Sequence, residues 1–229
     1  NWKYMALVWA LIPIANGIFF TRVPIAPLLD EGEKGLTMGE LFKKKIFWVL
    51  MLMMLCAGAS EQAVSQWAST LAEKNFGINK TIGDLAGPMA FAILMGSSRA
   101  FYGKFGDKIN LERFMQYSAV LCMVSYLMIA FIPVPALGIL GCAVCGLSVG
   151  IMWPGTFSMA AASVKRGGTA LFALLALAGD VGCSSGPTYV GMISGALNDN
   201  LKLGIFAALI FPVLMIMGIK MIGSLQKCD

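Results

Sequence analysis

The sequence predicts an all-α membrane protein of seven transmembrane helices, arranged as one leading helix followed by a six-helix bundle. Three observations carry that expectation. Apolar residues make up 58% of the 229 and charged residues only 13%, where a soluble domain carries ~25% charged residues. Seven apolar stretches reach the ~20 residues that a helix needs to cross ~30 Å of hydrocarbon. Lys and Arg collect in alternate connections between those stretches, as they do where cytoplasmic loops retain positive charge. With mean hydropathy +0.78, the chain lacks the polar surface of a soluble enzyme. Its net charge of +5 falls beside a membrane and does not point to nucleic acid. The absence of histidine excludes His-ligated haem, His-containing zinc sites and Ser-His or Cys-His nucleophile pairs.

The spans are read at residues 4–20, 46–71, 81–102, 111–132, 136–164, 169–195 and 201–222. Residues 1–22 form the leading helix, 23–45 a charged cytoplasmic loop, and 46–229 the six-helix domain. The long loop carries Asp30, Glu31, Glu33 and the run Lys43-Lys44-Lys45, which is read as a helix-flanking anchor. Elsewhere connections are short, so neighbouring spans run antiparallel. On one side lie only Lys3, Lys74, Lys80 and Lys202; the other thirteen Lys and Arg lie opposite. This orientation puts Asn1 outside the cell membrane and the C-terminus in the cytoplasm. One helix before the long loop and six after it are what a twelve-span chain retains without its first five. A missing N-terminal six-helix half is therefore expected as a partner, alongside the lipid bilayer.

The six helices divide into two inverted three-helix repeats. Gly87-Pro88, Trp153-Pro154-Gly155 and Gly186-Pro187 mark interrupted helices in both. Five of the six cysteines lie in apolar runs, Cys142 and Cys145 among them, and read as small packing residues. No metal site, cofactor or disulfide framework follows.

Ionisable groups inside a bilayer cost at least ~2.5–3.5 kcal/mol, so each requires a partner or a cavity. At 100° per residue, Glu61, Gln62, Ser65, Gln66 and Ser69 fall in one arc of roughly 140°, with Gly58 on the same face. Such a row of carboxylate, amide and hydroxyl groups suits a hydroxylated ligand. Trp67 points away from it and reads as an anchor or packing residue. Asp180 lies near the midplane with Ser184 and Thr188 above it, while Gly179, Gly182 and Gly186 form a small-residue face opposite. Trp153 is a candidate stacking ring. Arg99, near a helix end, reads as snorkelling or capping.

Between the third and fourth spans the chain reads Gly103-Lys-Phe-Gly-Asp107-Lys108, with Arg99 before it and Arg113 after. This resembles the cytoplasmic gate loop of the major facilitator superfamily, where glycine allows a tight turn and the acid pairs with a cation or caps the next helix. The stretch from Gly58 through Glu61 to Trp67 is similar to the seventh helix of fucose-permease-like sugar symporters. Gly150-Ile-Met-Trp153-Pro154-Gly-Thr156-Phe157-Ser158 is similar to their tenth helix, with Trp153 where Phe is more usual, and 182–191 to their eleventh. The resemblance covers about residues 40–225. It implies secondary transport of a small polar solute, a sugar or related metabolite, by alternating access and coupled to a proton or cation. The implied substrate face comprises Glu61, Gln62, Ser65, Gln66, Trp153, Asp180 and Ser184, and the gate comprises Arg99, Gly103, Asp107 and Lys108. Alternative readings are drug or metabolite efflux and, from the span count, a seven-helix receptor or sensor. Two isolated carboxylates on different helices do not make a catalytic constellation.

Overall fold

The computed structural model describes residues 2–24, 35–75 and 77–225. Asp30, Glu31, Glu33 and Cys228 lie outside the described residues, as do the side chains of Lys80 and Asp84. The chain forms two compact units, Asn1–Lys34 and Gly35–Asp229. In the first, α1 (Trp2–Phe20) is an apolar helix that keeps Pro13 inside it.

The second unit consists of helices joined by short turns, with no strand among its described residues. It comprises α2 (Met38–Lys43), α3 (Lys45–Ser65), α4 (Ala68–Thr70), α5 (Lys80–Phe105), α6 (Leu111–Phe131), α7 (Pro135–Val149), α8 (Met152–Ser163), α9 (Gly168–Ala196), α10 (Leu201–Ala207) and α11 (Ile210–Leu225). A π-turn, Leu71–Asn75, follows α4, and a 3-10 turn, Gly106–Lys108, follows α5. Asparagine starts three of the helices. The Asn79, Asn110 and Asn200 side chains accept from the backbone N–H of Thr81, Arg113 and Leu203, which satisfies donors that a first turn leaves unpaired. Thr37 opens α2 with a capping box closed by Glu40. The Thr37 backbone N–H, and then its hydroxyl, hold the Glu40 carboxyl below the usual carboxylate range.

Among the described residues, six segments are long and apolar enough to cross a membrane: Trp2–Phe20, Lys45–Lys74, Leu111–Phe131, Pro135–Ser163, Gly168–Ala196 and Leu201–Leu225. Helix α5 is 26 residues long, about 39 Å at 1.5 Å per residue, but Arg99, Lys104 and its polar N-terminal turn make it less apolar.

Proline interrupts the spans in a pattern different from the one expected. Helix α7 gives way to α8 just before Pro154, and α10 to α11 just before Pro212. Helices α5 and α9 run unbroken through Pro88 and Pro187, so Gly87-Pro88 and Gly186-Pro187 do not interrupt their helices. A bundle tolerates proline where neighbours re-satisfy the freed backbone groups. The break between α3 and α4, at Gln66-Trp67, has neither proline nor glycine to explain it.

Two seams organise the bundle. Helix α3 lies along α9, and α7 lies along α5. At the first, a Cβ on Gly58 would run into the Gly179 carbonyl oxygen, and one on Gly182 into that of Leu55. At the second, a Cβ on Gly146 would strike the Phe91 carbonyl, and one on Gly150 would lie 2.8 Å from that of Met95. Glycine is required at these positions because backbone meets backbone. The expected small-residue face of α9 is therefore present, with Gly186 against Ala59 and Gly179 under the Trp153 ring.

Candidate functional site

The polar centre of the bundle begins with a missing hydrogen bond. Proline has no N–H, so Pro154 cannot donate to the carbonyl four residues back, and the Gly150 oxygen loses its helical partner. Arg99 of α5 fills that place: its Nε donates to the Gly150 oxygen at 3.2 Å. The same guanidinium reaches α3, where Nη2 donates to Glu61 Oε2 at 3.2 Å. One arginine thus ties α5 to α3 and to the α7–α8 break. Glu61 is largely covered, with 14% of its side chain exposed, whereas Arg99 is 44% exposed.

The sequence reading of Arg99 as a snorkelling or capping residue did not foresee this bridge to Glu61 and Gly150. Counted from the helix ends, Glu61 lies ~24 Å along α3 and Arg99 only ~9 Å from the end of α5. Side chains lean toward the N-terminus of their own helix, and these two helices run antiparallel. The carboxylate and the guanidinium therefore lean toward each other across the gap. Helices α3 and α5 make little direct backbone contact, so long side chains bridge them.

The remaining residues of the expected substrate face divide. Gln62 and Ser65 are half-buried beside Glu61, while Gln66 is exposed beyond the end of α3. Gly58 faces α9 and not a cavity. The arc fails beyond Ser65 because the turn at Gln66-Trp67 resets the helical phase. Trp67 consequently faces α9, where its Nε1 donates to the Pro187 oxygen at 3.1 Å; it packs, as expected, but not in the expected direction. Asp180 and Ser184 are exposed, not buried. With Thr188 they line an open groove of about 450 Å³. The Ser184 hydroxyl donates to the Asp180 backbone carbonyl, and that of Thr188 to Ser184. Trp153 is half-buried on the Gly179 side of α9, and its indole N–H is buried without a partner.

The residues expected at the gate occupy the end of α5 and the turn after it. Gly103 is helical, so the turn falls at Gly106–Lys108, where Asp107 and Lys108 are exposed. Asn110, not Asp107, caps α6. A further cavity of about 480 Å³ has largely apolar walls, including Phe101, Phe114 and Leu121, and lies between α5, α6 and α7. Among the described residues no three His, Cys, Asp or Glu side chains converge as a metal site requires.

The sequence reading missed the Gly150 carbonyl as a site atom. Its signal was available: Pro154 marks the residue four positions earlier as an unpaired acceptor, which any donor on the facing helix can claim.

Residues 1–187 match the family model described as Major Facilitator Superfamily. No curated protein and no solved structure matches the chain.

Proposed function

The chain belongs to the major facilitator superfamily, a family of membrane transporters, and on that premise we propose that it moves a small polar solute, a sugar or related metabolite, by alternating access coupled to a proton or cation. The observation that carries this reading is the Glu61–Arg99 pair. It sets an anion and a cation inside an apolar bundle, where charge is expensive, and leaves the cation the more exposed of the two. Gln62 and Ser65 beside it, with Asp180 and Ser184 on α9, add donors and acceptors for hydroxyl groups.

In this reading α5 also crosses the membrane, as the third of seven spans, with Asn1 outside the cell membrane and the C-terminus in the cytoplasm. Spans α3–α4, α5 and α6 form one repeat, and α7–α8, α9 and α10–α11 the other. The two glycine seams support that division, because exchanging the repeats turns the α3–α9 contact into the α7–α5 contact. Residues 46–229 would then be one six-helix half, rocking against a second half, with Gly103, Asp107 and Lys108 at the cytoplasmic gate. The apolar cavity by Phe101 and Phe114 fits the efflux alternative better, but it lies away from the charged pair.

The test is solute-driven proton uptake in proteoliposomes of the full-length protein. Across a panel of hexoses, polyols and sugar acids, at least one solute is expected to alkalinise the medium as it enters, and Glu61→Gln is expected to remove the proton signal while the protein still folds. If Glu61→Gln transports with unchanged rate, affinity and pH profile, Glu61 is structural and the site assignment fails.

A further inference from the structure

From the donor arithmetic at Arg99 we infer that the solute carries a carboxylate, making it a hydroxylated organic acid that takes Glu61's place on the Arg99 guanidinium. This deepens the transport reading above and rests on it. A guanidinium offers five N–H donors in a planar fork suited to a two-oxygen acceptor. Here one donor goes to the Gly150 carbonyl and one to a single Glu61 oxygen. The fork is thus held in place by the helix break while its carboxylate-binding edge is only partly used. The guanidinium is also the more open member of the pair, at 44% exposed against 14%, so a ligand reaches the cation before the anion. A neutral sugar has no group that could displace a carboxylate from arginine. A solute carboxylate has the same charge and geometry as the group it replaces.

The exchange balances in charge and protons. The solute carboxylate forms hydrogen bonds to Arg99, and those from Arg99 to Glu61 break. Glu61, left in an apolar setting without its cation, takes one proton from water as an O–H bond. One proton accompanies each monocarboxylate, and no bond within the solute changes. The titratable groups toward this part of α3 are Arg99 on α5, Asp180 and Cys183 on α9, and Tyr126 on α6, whose hydroxyl donates to the Ser60 carbonyl. The α7–α8 break contributes only the Gly150 carbonyl. Glu61 is the acid in contact with the displaced cation, so the proton is assigned to it. The hydroxyls and amides of Ser65, Gln62 and Ser184 are left for the hydroxyl groups of the ligand.

Titration calorimetry on purified full-length protein tests this with matched probes, gluconate and glucuronate against glucose and sorbitol, in buffers of different ionisation enthalpy. Wild type is expected to bind an acid and not its neutral counterpart, taking up one proton per molecule. Arg99→Gln is expected to weaken acid binding ~10–100-fold, the range for a charge-assisted hydrogen bond. Glu61→Gln removes the competitor and the titrating group together, so it is expected to bind the acid at least as tightly and without proton uptake. That variant retains Arg99, so the prediction stands even if Arg99→Gln misfolds. Equal or better binding of glucose or sorbitol, with Arg99→Gln unaffected, would overturn the carboxylate assignment and leave polar-solute transport standing. Binding of no acid in the set overturns it as well. Acid binding by Glu61→Gln that still takes up a proton overturns the exchange.

Discussion

Helix α3 has two neighbours that it meets in opposite ways. Against α9 the contact is backbone on backbone, with Gly58, Gly182 and Gly186 placed where any side chain would strike a carbonyl or main-chain carbon. Against α5 there is little backbone contact, and the gap is crossed by Glu61 and Arg99. The first seam leaves no room for side chains where Leu55, Gly58 and Ala59 meet Gly179, Gly182 and Gly186. The second is crossed by a single ion pair and is expected to respond to a change of charge. The difference teaches where to look for function: glycine-packed seams set the frame, and the seam that leaves polar groups in an apolar bundle is the one a ligand or proton can act on.

The largest effect is expected at the tight seam. Gly182→Val should cost ~3 kcal/mol, at the upper end of overpacking because the obstacle is the Leu55 backbone. Loss of monodisperse protein on size exclusion, or a strongly lowered Tm in detergent, would show it. A Gly182→Val protein as stable as wild type would break the comparison.

At the bridged seam a double-mutant cycle sharpens it. Arg99→Gln alone should destabilise by ~1–2 kcal/mol, less than the ~3–5 kcal/mol for breaking a fully buried pair, because Arg99 is open to solvent on one side. Glu61→Gln with Arg99→Gln should recover most of that loss. Additive Tm shifts would mean that the pair is not coupled.

A smaller effect is expected at Trp67, which ties α4 to α9. Trp67→Phe keeps the ring packing and removes the hydrogen bond to the Pro187 carbonyl, at a cost of ~1 kcal/mol. Thermal melting that matches wild type would remove Trp67 from the frame.

The smallest effect lies outside both seams, in the capping box of α2. The Glu40 carboxyl is held below its ordinary range by Thr37. Its contribution is therefore present above the unfolded carboxylate pKa and is lost as pH falls through the lowered folded value. Amide exchange at Leu36, whose N–H donates to the Arg166 carbonyl at 2.8 Å, should quicken over that acidic window and not near neutrality. Thr37→Ala should remove the dependence.

Much of the frame was legible from composition and periodicity. The helices lie close to the expected spans, and the glycine face of α9 followed from spacing alone. The site was less legible for specific reasons. Arg99 was misplaced because depth counted from helix ends ignores the lean of side chains, which brings antiparallel neighbours together. Gln66 and Trp67 were misplaced because a break without proline or glycine shifts the helical phase, and no residue type announces it. Asp180 was placed by its depth near the midplane, but depth does not set burial, and the side of α9 that it occupies leaves it exposed.

The central claim is that the α3–α5 seam responds to the charge of its pair while the α3–α9 seam stays fixed. Distances between spin labels test it most directly, with Leu52 of α3 paired first with Ile93 of α5 and then with Leu177 of α9, all three exposed, in a background freed of reactive cysteines. Between neutral and acid pH the α3–α5 distribution should shift in the wild-type pair and stay still in Glu61→Gln, while the α3–α9 distribution remains unchanged in both. An α3–α9 distance that moves with pH, or an α3–α5 distance that does not, would contradict the account.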